Sequence, residues 1–152
     1  MNDLGYTPKV AHPRDVGMKI DAYSTSLRRA AGLPKGKVGP HGALIDLDAQ
    51  GVKRGFRMHD TWSIYGLPDV ETGQGFDRIV AALPANGWKI VKRGESSIRK
   101  GSPEVWAEHT SDHATITIEW WHADGDKSAQ LLGTVDSIIY IAPEDVDLNT
   151  FY

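Results

Sequence analysis

Cysteine is absent from the chain, which removes disulfides, thiol nucleophiles and thiolate metal sites together. It also leaves the redox compartment open. Long apolar runs are missing too: none approaches the ~20 residues that a membrane-spanning helix needs. The first residues, MNDLGYTPK, are polar and carry no apolar stretch of an export signal. Catalytic signatures are equally scarce. No serine sits in a nucleophile elbow, no HExxH pair occurs, and Lys35-Gly36-Lys37 lacks the spacing of a phosphate-binding loop. Apolar residues make up only 40%, and five tryptophans partly compensate. With 152 residues the chain still has the length of one domain with its own core.

Charge is what the chain has in uneven supply. Residues 28–57 hold seven Lys or Arg against the two acids Asp46 and Asp48, whereas residues 101–152 hold ten acids against Lys127 alone. Both stretches read as solvated surface, and the acidic one reads alternatively as the part that meets a cationic partner. The acidic one argues against nucleic acid, because phosphate binding needs clustered bases.

The clearest single pattern is Ala114–His122, ATITIEWWH. Ala114, Ile116, Ile118 and Trp120 alternate with Thr115, Thr117, Glu119 and Trp121, as in a half-buried strand. Elsewhere Val16, Ile20, Tyr23, Leu27 and Ala31 form one helical stripe from a cap at Asp15 to Gly32 and Pro34. Pro34–Gly42 reads as a loop. Ala43–Asp48 and Val52–Tyr65 read as a hairpin, with Gly51 supplying the positive φ of its turn. Asp60 interrupts the apolar face of Phe56, Met58, Trp62 and Ile64, so it lies either near a strand end or against a hydrogen-bond donor. Phe76, Ile79, Val80 and Leu83 predict a second helix, capped at Thr72 and stopped by Pro84 and Asn86-Gly87. Four strands then follow: Trp88–Lys92, Glu104–His109, Ala114–His122 and Leu131–Ile141. Turns at Thr110-Ser111-Asp112 and Asp124-Gly125-Asp126 join the last three.

This order, α-β-β-α-β-β-β-β, predicts an α+β two-layer sandwich: a mostly antiparallel sheet with both helices on one face. Residues 1–152 form a single domain, with 1–12 as a loose leader and 143–152 as an acidic tail.

Four segments in the second half carry a resemblance. They are LPANGW (Leu83–Trp88), SPE (Ser102–Glu104), EWW (Glu119–Trp121) and TVDSIIYIAPE (Thr134–Glu144). Together they resemble a group of small actinobacterial lipoproteins of unassigned activity. The resemblance implies an extracytoplasmic, lipid-anchored envelope domain and carries over no catalytic residue. Members often have a cysteine in the last strand, where Ile138 and Ile139 stand here. The lipid-bearing N-terminal cysteine is also absent, which leaves a cytoplasmic location as the other expectation.

The chemistry-bearing residues point to binding more than to catalysis. His109, His113 and His122 lie on adjoining strands, but they flank turns without a zinc-ligand spacing, so no metal and no cofactor is expected. His59 and Asp60 point to opposite faces of their strand. No two carboxylates are singled out for glycosidase work. The outer face of the sheet is the stronger candidate. The alternation sends Trp120 inwards, and Glu119 and Trp121 outwards. A two- or four-residue turn at Ser111-Asp112 sets Glu104, Trp106 and Glu108 beside them, whereas a three-residue turn turns Trp106 inwards. Continuing the last strand adds Asp136 and Tyr140. The expected binding residues are therefore Glu104, Trp106, Glu108, Glu119, Trp121, Asp136 and Tyr140, with no catalytic residue. Aromatics ringed by carboxylates suit a basic protein partner, such as a toxin neutralised by an immunity-type protein. The other expectations are an accessory envelope domain that homodimerises through this face, and a small hydrolase.

Overall fold

The computed structural model describes residues 4–124 and 128–151. Ten elements follow one another: α1 (Pro13–Ala31), β1 (Lys37–Val38), β2 (Leu44–Leu47), β3 (Gly55–Tyr65), α2 (Asp69–Ala82), β4 (Trp88–Glu95), β5 (Pro103–His109), β6 (Thr115–Trp121), β7 (Gln130–Asp136) and β8 (Tyr140–Ile141). The strands build one antiparallel sheet in the order β1-β3-β7-β6-β5-β4, and β2 and β8 also pair with β3. Both helices lie on one face, so the α+β sandwich read from the sequence is the observed architecture.

β3 is the spine of the sheet. Its 11 residues pair with β1 and β2 along one side and with β7 and β8 along the other. Phe56, Met58, Trp62 and Ile64 point into the core, where Trp62 and Phe56 are fully buried. Gly133, opposite Trp62 on β7, makes room for the indole, because a methyl group there would overlap the ring. Asp60 shares this buried face and accepts a hydrogen bond from the Gly42 amide at 2.8 Å. That is the donor its position demands.

α1 lays Val16, Ile20, Leu27 and Ala31 against the sheet. Its cap is His12, whose ring accepts from the Arg14 amide, and Pro13 opens the first turn, two residues before the expected cap Asp15. α2 buries Phe76, Ile79 and Val80, and Leu83 just beyond its end is buried as well. It starts at Asp69, not after Thr72. Thr72 lies within the first turn, its hydroxyl donating back to the Pro68 carbonyl at 2.9 Å. Pro84 begins a 3-10 turn, and Gly87 at φ 87° leads into β4.

Two expectations are corrected. The leader is docked: Lys9 and Ala11 exchange backbone hydrogen bonds with Ile141, and the Ile139 amide donates to the Tyr6 hydroxyl. The last strand is interrupted. Asp136 pairs with His59, and Tyr140 pairs with Phe56. Three residues (Ser137, Ile138, Ile139) thus face two on β3 (Arg57, Met58), a bulge that reverses the facing of every residue after it. The leader satisfies backbone groups that the irregular stretch leaves open. Of the expected turn Asp124-Gly125-Asp126, only Asp124 lies within the described residues, and Tyr152 lies outside them.

Candidate functional site

The face of the sheet opposite the helices is a grid of side chains set by strand register. Its middle row reads Thr61, Thr134, Thr117, Trp106 and Lys92 across β3, β7, β6, β5 and β4. The next row reads His59, Asp136, Thr115, Glu108 and Lys89. On the other side run Ser63, Leu132, Glu119, Glu104 and Gly94. The turn from β5 to β6 holds four residues, 110–113, with His113 at φ 60°. This is the register that turns Trp106 outwards. Trp106 is 45% exposed, a large apolar side chain on the outer face one strand in from the sheet edge.

Six of the seven expected binding residues share this face: Glu104, Trp106, Glu108, Glu119, Trp121 and Asp136. Tyr140 does not. The bulge at 137–139 turns it to the helix side, where its ring lies 6.0 Å from that of Phe56. Alternation alone, carried through from β7, sends it the wrong way.

The shared face is less acidic than its sequence suggests, because the chain supplies its own cations. Lys92 stands 5.4 Å from the Trp106 ring centre, and Arg99 stands 5.1 Å from that of Trp121 while donating to the His122 carbonyl. Trp121 is accordingly half-buried beneath the 96–102 loop. Lys89 lies opposite Glu108, and Arg57 pairs with Asp46 at 3.0 Å. Burial pushes the Asp136 carboxyl up, and Arg57 and His59 only partly offset it. One spot stays uncompensated. Glu104 and Glu119 are directly opposite each other, Glu104 is buried, and Oε1 of Glu119 and Nε1 of Trp121 have no hydrogen-bond partner among the described residues. Like charges so placed repel, and a buried oxygen without a donor is costly.

The three histidines weighed as ligands have separate partners. The His109 ring lies 5.0 Å from that of Tyr23 and 4.9 Å from that of Trp88, His113 pairs with Glu108 at 2.7 Å, and His122 pairs with Asp69 at 3.2 Å. Among the described residues no three His, Asp or Glu side chains are grouped to hold a metal.

Sequence reasoning missed a second region, at the end of the sheet where β5 turns into β6. Asp112 is its hub. It accepts from the Tyr23 hydroxyl at 2.6 Å and from the Ala114 amide at 3.0 Å, and it pairs with Lys19 at 3.3 Å. Burial alone would raise its carboxyl, but these donors outweigh burial and hold it below the usual range. Burial and the bond to Asp112 raise the Tyr23 phenol. Around this hub opens a cleft bounded by the docked leader. Asp112 stands out in the sequence only as a turn residue, since its partners come from a helix 89 residues earlier. Comparison of the chain with protein-family models, with curated proteins and with solved structures finds no match.

Proposed function

We propose that this chain is a non-catalytic binding domain that docks a basic protein partner on the open face of its sheet. The observation that carries the reading is Trp106, held 45% exposed in the middle row of the outer face, on the strand next to the sheet edge. Covering the exposed part of the indole, on the order of 100 Å², is favoured by about 2–3 kcal/mol on the usual scale of about 25 cal/mol per Å². Surface tryptophans of this kind recur as binding hot spots. The basic character of the partner is supported by the facing carboxylates Glu104 and Glu119, where Oε1 of Glu119 has no donor among the described residues, and by the two tryptophans, each of which already attracts one of the chain's own cations. An incoming Arg or Lys would compete with Lys92 and Arg99 for these rings. In the envelope form of this proposal, which rests on the resemblance over Leu83–Glu144 alone, the partner lies outside the cytoplasm, and in its immunity-type form the partner is a basic toxin.

The test compares partner retention by the intact protein and by Trp106→Ala, with Glu71→Ala, on the helix side, as control. The reading expects the partner to be lost with Trp106→Ala, kept with Glu71→Ala, and released by salt. Equal retention by both variants overturns it.

A further inference from the structure

Three cavities at the β5–β6 end of the sheet share walls. The largest, about 780 Å³, lies between the leader, Lys19 of α1, the β5–β6 turn and Tyr140. One of about 300 Å³ shares Tyr6, His113, Thr115 and Ile138 with it and extends to Arg57. One of about 160 Å³ shares Lys19, Asp112 and Tyr140. The main cavity has the size of small-molecule sites.

The polar groups of its walls divide unevenly. The acceptors are committed: Asp112 to Tyr23, Lys19 and the Ala114 amide, and Glu108 to His113. Several donors are not. Lys9 has no ion-pair partner among the described residues. The Tyr6 oxygen accepts from the Ile139 amide and has its own proton left to donate. The half-buried Tyr140 hydroxyl makes no hydrogen bond among the described residues. Nε of Arg57, in the adjoining cavity, is buried without a partner. Beside this surplus of donors stand the apolar faces of two tyrosine rings and Ile138. A ligand that satisfies the cleft brings acceptors and negative charge at one end and an apolar body at the other.

We propose that this cleft binds a small organic anion, a carboxylate or phosphate on an aromatic or apolar body, drawn by Lys9 and Arg57 and lined by Tyr6 and Tyr140. The cleft borders the sheet face, since Glu108 and Thr115 belong to both, but Trp106 does not line it, so Trp106→Ala should leave anion binding unchanged.

The test titrates phenyl phosphate, phenylacetate, inorganic phosphate and benzylammonium into the isotope-labelled full chain, read by amide chemical shifts. The proposal expects saturable shifts at Tyr6, Lys9, His113, Thr115 and Tyr140 with at least one aromatic anion. That anion binds on the order of tenfold tighter than inorganic phosphate or benzylammonium. Whichever of the two binds tighter identifies the head group. Lys9→Gln and Tyr140→Phe each weaken it by roughly three- to tenfold with melting unchanged. Any of four results overturns the proposal: no saturation by about 10 mM, where affinity is too weak to matter; benzylammonium or inorganic phosphate binding equally well; shifts centred elsewhere; or unaltered affinity in both variants.

Discussion

Asp112 shows how much one side chain can tie together. It joins the β5–β6 turn to α1 through Tyr23 and Lys19, and it fixes the start of β6 through the Ala114 amide. Its folded pKa is depressed, so its stabilisation is present in full above the unfolded value near pH 4 and is lost as pH falls below that. Asp112→Asn should therefore lower stability by about 1–3 kcal/mol at neutral pH. In denaturant melts the gap from wild type should narrow below about pH 4. A gap that stays constant down to acid unfolding would show that the carboxylate charge does not matter. Gly133 makes a complementary case in the core. Adding a methyl beneath the Trp62 indole is overpacking, so Gly133→Ala should cost roughly 1–3 kcal/mol in the same melts. Neither role is visible in the sequence. Asp112 there is one polar residue in a turn, and Gly133 one glycine in an apolar run, because both roles depend on partners remote in the chain.

At the scale of elements, periodicity carried most of the information. The stripe Phe76, Ile79, Val80, Leu83 is the buried side of α2 and its exit, and the alternation in Ala114–His122 is the pleat of β6. Ile79 is fully buried, so Ile79→Asp should unfold the domain by leaving a charge unpaired in the core. A mutant melting close to wild type would mean that this helix face is not the packed one. Periodicity failed where backbone hydrogen bonding departs from the regular ladder. The Ser137 hydroxyl accepts from the Met58 amide at 3.0 Å, and the Ser137 amide donates to the Met58 carbonyl at 2.9 Å. These bonds hold the bulge that turned Tyr140 to the helix side. Nothing in the run of Thr134–Ile141 marks it, since apolar residues occupy both faces there. The same holds for the leader, whose docking partner exists only once the bulge has formed.

Over the whole molecule, folding redistributes the charge imbalance of the sequence. Arg54, from the basic stretch, donates to the carbonyls of Pro143 and Val146 and so anchors the acidic tail. Lys89 and Lys92, from an edge strand outside both biased stretches, come to lie beside Glu108 and Trp106. Of the acids on the sheet face, Glu108 has a side chain 43% exposed but is paired with His113, and Glu104 is buried. Long-range steering by this face should thus be moderate, and the contact energy should centre on Trp106. Trp106→Ala should leave the melting temperature nearly unchanged, because the indole is already half in water. It should weaken partner binding by roughly 2 kcal/mol or more, mainly through faster dissociation. Glu108→Lys should act differently: it should slow association and flatten its salt dependence while changing dissociation little. A face that serves a homodimer instead would show Trp106→Ala shifting the sedimentation coefficient at high protein concentration. Steered docking of a basic partner requires the two variants to separate into the dissociation rate and the association rate, and both changes falling in the dissociation rate would rule it out.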